Sequence, residues 1–153
     1  MIRILFICHG NICRSPMAEF VFRKKAAERG VSPLFSVSSA ATSTEEIWNG
    51  VGNPVYPPAQ RELKKHGITC DGKRAVQVTK ADYAAYDYLL CMDESNIRNL
   101  MRIIGSDPEN KVHKLLEFAD SSADIDDPWY TGDFETTYQD VLRGCEGLLG
   151  EIL

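Results

Sequence analysis

The run Ile2-Arg3-Ile4-Leu5-Phe6-Ile7, followed at once by Cys8-His9-Gly10-Asn11-Ile12-Cys13-Arg14-Ser15-Pro16, leaves this chain few ways to fold. A nearly continuous, isoleucine-rich apolar stretch is what a central parallel strand needs when both of its faces are covered. Parallel neighbours are joined by crossovers, so a helix is expected next. Ser15-Pro16 reads as the cap and first-turn residues of a helix over Pro16–Arg29, with Met17, Phe20, Val21 and Ala27 apolar and a stop at Gly30. The pattern predicts further strands at Leu34–Ser39 and Tyr86–Met92, and a more polar edge strand at Val112–Leu116. Helices are expected at Ala59–His66, Glu94–Ile104 and Phe134–Leu153, the last weakened by Gly144, Gly147 and Gly150. No repeat, linker or low-complexity tract interrupts this alternation. The expectation is an α/β fold in a single domain over residues 1–153, with right-handed crossovers placing helices on both faces of a parallel sheet. In such sheets the functional site lies beyond the carboxyl ends of the strands.

Composition narrows the function. Apolar residues make up 44% of the 153 residues and charged residues 25%, which fits an ordinary globular domain and neither disorder nor a membrane protein. Met1–Cys8 is broken by Arg3 and is too short for an export signal, so a cytoplasmic protein without membrane association is expected. A net charge of −5 argues against broad affinity for nucleic acid or anionic lipid. Five cysteines, an odd number, point to reduced thiols. Cys8 and Cys13 lack the two-residue spacing of a zinc knuckle and no second pair completes a site, so no metal is expected.

A cysteine and an arginine separated by five residues, between a buried strand and a helix N-terminus, form an anion cradle. Backbone N–H groups curl around a tetrahedral dianion, the helix end adds positive potential, and the Arg14 guanidinium takes two oxygens. Gly10 and Asn11 suit a loop that requires unusual backbone angles. The same field acts on Cys8: a free thiol with a pKa of about 8.5 is only about 3% ionised at pH 7, and a helix N-terminus with a nearby arginine favours the thiolate. The Ser15 hydroxyl is placed to donate to the sulfur. Such a nucleophile needs an acid for its leaving group, and Asp124-Ile125-Asp126-Asp127-Pro128-Trp129-Tyr130 supplies one. Pro128 holds Asp127 extended, and Trp129 with Tyr130 offers walls for a flat leaving group.

Together these residues resemble the low-molecular-weight protein tyrosine phosphatases. Ser39-Ala40-Ala41-Thr42-Ser43, Lys64-Lys65-His66-Gly67-Ile68 and Tyr88-Leu89-Leu90-Cys91-Met92-Asp93-Glu94-Ser95-Asn96 extend the likeness over nearly the whole chain. The resemblance implies a four-stranded parallel sheet, no metal or organic cofactor, and tyrosine-phosphorylated proteins as substrates. It implies Cys8 as nucleophile, Arg14 as phosphate ligand, Ser15 as thiolate donor and Asp127 as general acid, then base. His9, Gly10, Asn11, Ile12 and Cys13 complete the phosphate-binding loop, Asn11 being held by Ser15, Ser39 and His66. Ile12, Trp48, Trp129 and Tyr130 are implied to line the substrate slot. His9 and Trp129 depart from the family's commoner residues. Three alternatives are a protein arginine phosphatase of the same fold, disfavoured by Ile12, a thioredoxin-coupled arsenate reductase, disfavoured by the lack of a close pair among Cys70, Cys91 and Cys145, and a non-catalytic phosphate-binding module. A low-pKa thiolate at a pocket mouth also predicts redox sensitivity, with Cys13 near enough to trap oxidised Cys8 as a disulfide.

Overall fold

The computed structural model describes residues 1–153. β1 (Ile2–Cys8) runs into α1 (Arg14–Glu28), and β2 (Phe35–Ala41) follows after a single 3-10 turn. Next come a small hairpin of β3 (Ile47–Trp48) and β4 (Val51–Gly52), then α2 (Pro57–Lys65) and α3 (Asp82–Ala85). The chain continues through β5 (Tyr88–Cys91), α4 (Glu94–Ile104), β6 (Val112–Lys114), α5 (Pro128–Thr131) and α6 (Phe134–Ile152). The four-stranded sheet has the order β2-β1-β5-β6, and every pairing in it is parallel.

β1 is central because its side chains feed two cores. Ile4, Phe6 and Cys8 join the larger one with α1, α2 and α6, whereas Leu5 and Ile7 join a smaller one with Leu100 and Ile104 of α4. That strict alternation between two apolar layers is why the run needed no polar face. The chain goes from β1 to β2 on one side and returns to β5 on the other, so β1 and β5 flank the point where strand order reverses. Ligands of doubly wound sheets bind at such a point.

Several local expectations change. The helix after β1 starts two residues early, and its N-cap is Cys13, which makes no side-chain capping bond. Ser15 is therefore inside the first turn, and its hydroxyl is left free for other work. The β3–β4 hairpin is not among the expected elements; the structure turns it at Asn49-Gly50 with φ of 51° and 76°. α2 begins at Pro57 because the Pro57-Pro58 pair presets helical φ at its start. Two glycines of α6 are sites of close approach: a Cβ on Gly147 would lie 1.9 Å from the Phe118 carbonyl oxygen, and one on Gly144 2.5 Å from Leu115. No helix is long and apolar enough to cross a membrane.

Candidate functional site

The carboxyl end of β1 delivers Cys8 to the floor of a pocket of about 140 Å³, lined by residues of the loop that follows, by Glu45 and Glu46, and by Asp127, Trp129 and Tyr130. Cys8 is 3% exposed. Its Sγ lies 3.0 Å from Ser15 Oγ and accepts from the Asn11 N–H at 3.3 Å. Asn11 supplies that N–H by taking φ of 59°, a left-handed conformation asparagine tolerates. Gly10 does not share this conformation. A Cβ there would crowd Glu46 Cγ at 3.2 Å, so that side chain would have to shift by a few tenths of an ångström to admit one.

Along the loop, the N–H groups of His9, Gly10, Ile12, Cys13, Arg14 and Ser15 have no hydrogen-bond acceptor within the protein. A row of unpartnered donors at the start of a 15-residue helix is an anion site by construction. Arg14 adds a fixed positive charge. Its Nη1 donates to Asp93 Oδ2 at 2.6 Å and to the Ile125 carbonyl at 2.9 Å, and its Nη2 lies 3.5 Å from Asp127 Oδ2. Burial works against this charge, but Cys8, Asp93 and Asp127 outweigh it and hold the guanidinium above its ordinary pKa. Cys13, by contrast, stays a thiol, pushed far up by burial and by the negative neighbours Cys8 and Asp127.

Asp127 is positioned from two directions. Ile125, fully buried, anchors its loop by donating its N–H to the Met92 carbonyl beyond β5 and giving its own carbonyl to Arg14. On the other side, Asp127 Oδ1 accepts from the Trp129 N–H at 3.0 Å, capping α5. Asp124 is turned away to Lys114, so the acidic stretch separates into one residue at the pocket and others outside it. Trp129 packs on Tyr56 with ring centroids 4.8 Å apart, and Tyr56 donates its N–H to the Ile12 carbonyl.

Two expected residues fall elsewhere. His66 makes no bond to Asn11, Ser15 or Ser39; its ring stacks on Tyr138 at 3.7 Å and its Nε2 is 3.2 Å from Glu62, because the end of α2 faces α6 rather than the loop. Trp48 sits on the hairpin, 79% exposed, and does not line the pocket, which that loop reaches through Glu45 and Glu46. Ser39 does support Asn11, accepting from its Nδ2 at 3.0 Å. Three contributors went unread in the sequence: Asp93, Glu19 and the Glu45–Glu46 pair. Asp93 had a signal, since Asp93 and Asn96 form a capping box that sets the start of α4 beside the site. His9 pairs with Glu45 at 2.9 Å across the pocket mouth.

The low molecular weight phosphotyrosine protein phosphatase family model matches residues 3–153. The low molecular weight protein-tyrosine-phosphatase YfkJ of Bacillus subtilis (strain 168) is 41% identical, with 99% of this chain and 96% of that protein covered. The Gallus gallus low molecular weight phosphotyrosine protein phosphatase is 46% identical over 95% of this chain and 92% of its own. The crystal structure of B. subtilis YfkJ superposes with a TM-score of 0.92 at 40% identity, covering 99% of this chain and 94% of that one. A cysteine on a parallel-strand end, a loop of free amides and whole-chain similarity agree, and the chain belongs to the low molecular weight phosphotyrosine protein phosphatase family.

Proposed function

We propose that this chain is a protein tyrosine phosphatase that hydrolyses phosphotyrosine through a phosphocysteine intermediate. The observation that carries the reading is the position of Cys8 Sγ, held by Ser15 Oγ and the Asn11 N–H beneath a loop of unpartnered amides, with Arg14 and Asp127 in the same pocket. A phosphate seated on the loop has its oxygens met by N–H groups and the remaining guanidinium donors, so phosphorus faces the sulfur. In the first step the Cys8 thiolate forms an S–P bond as the ester P–O bond breaks, and Asp127 gives its proton to the departing phenol oxygen. In the second, Asp127 takes a proton from water as that water attacks phosphorus; the S–P bond breaks and inorganic phosphate leaves. Each step returns what the other consumed, so no metal or organic cofactor is required.

The wall formed by Ile12, Trp129 and Tyr130 suits a flat aromatic leaving group. A deep phosphate seat behind such a wall favours the long phosphotyrosine side chain over phosphoserine. The net charge of −5 and the carboxylates at the pocket mouth speak against polyanionic partners, and five free thiols suit a reducing compartment such as the cytoplasm. The test is turnover of an aryl phosphate and of phosphotyrosine, phosphoserine and phosphoarginine peptides. Cys8→Ser abolishes turnover, and Asp127→Ala lowers kcat by roughly 10²–10⁴-fold while retaining substrate. Faster hydrolysis of phosphoarginine than phosphotyrosine, or turnover surviving in Cys8→Ser, overturns the reading.

A further inference from the structure

Behind the catalytic loop a buried carboxylate that plays no part in the chemistry terminates a chain of hydrogen bonds. Glu19, on α1 and 4% exposed, accepts from Ser39 Oγ at 2.6 Å. Ser39 Oγ accepts from Asn11 Nδ2 at 3.0 Å, and the same amide donates to Ser15 Oγ at 2.8 Å. Ser15 Oγ lies 3.0 Å from Cys8 Sγ. Arg23 at 2.6 Å and Lys73 at 3.9 Å supply Glu19 with counter-charge, and Lys73 also donates to the Ser39 carbonyl at 2.9 Å. Ser39 is 1% exposed and Ser15 fully buried, so neither hydroxyl has bulk water as an alternative partner.

The direction of every bond in this chain follows from its ends. A carboxylate only accepts, so the Ser39 hydroxyl proton is committed to Glu19 and its oxygen is left to accept. At the other end of the Asn11 amide, Oδ1 accepts from the Val76 N–H at 3.1 Å. The amide is thereby locked from both sides: reversing it would set its NH₂ against the Val76 N–H and offer Ser39 an acceptor it has no free proton to meet. With Nδ2 facing Ser15, that hydroxyl receives a proton on its oxygen, and the one acceptor within reach of its own proton is Cys8 Sγ. We propose that Glu19 is a positioning residue for the reaction, fixing the polarity of the Ser39–Asn11–Ser15 chain so that the Ser15 proton is always presented to the sulfur. Without Glu19, Ser39 is free to donate toward Asn11, the amide gains a second orientation, and in that orientation Ser15 donates to Asn11 Oδ1 instead of to sulfur.

This inference rests on Cys8 as the reacting thiol, so its test reads the thiol itself rather than turnover. The pH dependence of Cys8 alkylation by iodoacetamide, followed by mass spectrometry of the Cys8 peptide, is measured in wild type, Glu19→Gln, Ser39→Ala, Ser15→Ala and the Glu19→Gln/Ser15→Ala double variant, beside kcat/KM profiles for an aryl phosphate. A hydrogen bond to an ionised group predicts that losing the Ser15 donor slows alkylation near pH 5.5 by about tenfold, and that Glu19→Gln and Ser39→Ala each produce part of that loss. In the Ser15→Ala background Glu19→Gln adds nothing, because the chain has already lost its last link. A purely structural Glu19 lowers Tm without moving the alkylation profile, or acts equally with and without Ser15; either result overturns the proposal. If Glu19→Gln does not fold, Ser39→Ala tested with and without Ser15→Ala decides in the same way. Inactivity toward every phosphate ester, with the alkylation pattern intact, refutes the proposed function and leaves the chain of bonds standing.

Discussion

Asp93 is the residue whose loss separates holding the arginine from building the scaffold. Its carboxylate does two jobs: Oδ2 takes Arg14 Nη1 at 2.6 Å, and Oδ1 takes the Asn96 N–H at 2.7 Å to cap α4. The Arg14 side chain is 3% exposed and that of Asp93 20%, so little solvent screens the pair. Breaking a buried pair costs about 3–5 kcal/mol when one charge is left alone. Arg14 keeps the Ile125 carbonyl and Asp127, so the lower end applies; with about 1 kcal/mol for the cap, Asp93→Ala loses roughly 4 kcal/mol. For a domain of this size that lowers Tm by about 8–16 °C. Asp93→Asn keeps the cap and a neutral acceptor and should lose only about 1–2 kcal/mol. Activity divides differently. Freed from Asp93, the guanidinium has Asp127 as its remaining carboxylate partner and is drawn toward the acid it should leave alone. We expect kcat/KM for an aryl phosphate to fall about 10²-fold in Asp93→Ala and about 10-fold in Asp93→Asn, with calorimetry run beside the kinetics. If Asp93→Ala keeps kcat/KM within twofold while Tm falls as stated, Asp93 is only a cap and the reasoning is refuted.

Gly147→Ala should destabilise α6 by more than about 2 kcal/mol because the new Cβ has only the Phe118 backbone to push against, whereas Gly150→Ala, with open space around it, should gain about 0.5–1 kcal/mol; urea melts of the two decide. Asp107 accepts from Tyr83 Oη, Lys111 N and Val112 N; burial pushes its carboxyl up, but these bonds outweigh it and hold its pKa below the ordinary range. Its contribution is therefore present above about pH 4 and lost as pH falls further, so the pH dependence of stability between pH 4 and 2 should flatten in Asp107→Asn and is measured by urea unfolding at each pH. Peroxide should inactivate the enzyme reversibly in the presence of thiol reductant, and Cys13→Ser should make the loss irreversible; an unchanged recovery with no Cys8–Cys13 linked peptide in mass spectra refutes a protective role for Cys13.

The parts of this molecule that were legible in its sequence are those in which one residue type has one physical reason to be present. Ile2–Ile7 announces a strand buried on both faces, and Glu94–Ile104 carries its own cap at one end and Gly105 at the other. Cys8, Arg14, Ser15, Asp127, Trp129 and Tyr130 are brought to one place by the end of β1, the start of α1 and the capped turn at Pro128. What escaped notice depends on long-range packing. Glu19 reads as one more acid on a helix, and only the crossing of α1 over the end of β2 makes it the partner of Ser39. His66 failed for the converse reason: its place in a motif suggested the loop, yet Tyr138, 72 positions away on α6, offers a flat surface that wins. The hairpin was missed although Asn49-Gly50 encodes it, because strands of two residues carry no periodicity.

The amides left unpartnered after β1 divide the pocket's labour between what every amino acid possesses and what only some do. The grip on an anion is written in main chain, which substitution at His9 or Ile12 leaves in place, while the choice of leaving group and neighbour is written in the side chains those same positions project to the mouth. Such a site is modular. Its taste for substrate is free to drift through residues 9, 12, 45, 46, 129 and 130 while its hold on phosphate stays constant, so a library varied at those six positions should yield altered selectivity far more often than lost phosphate binding.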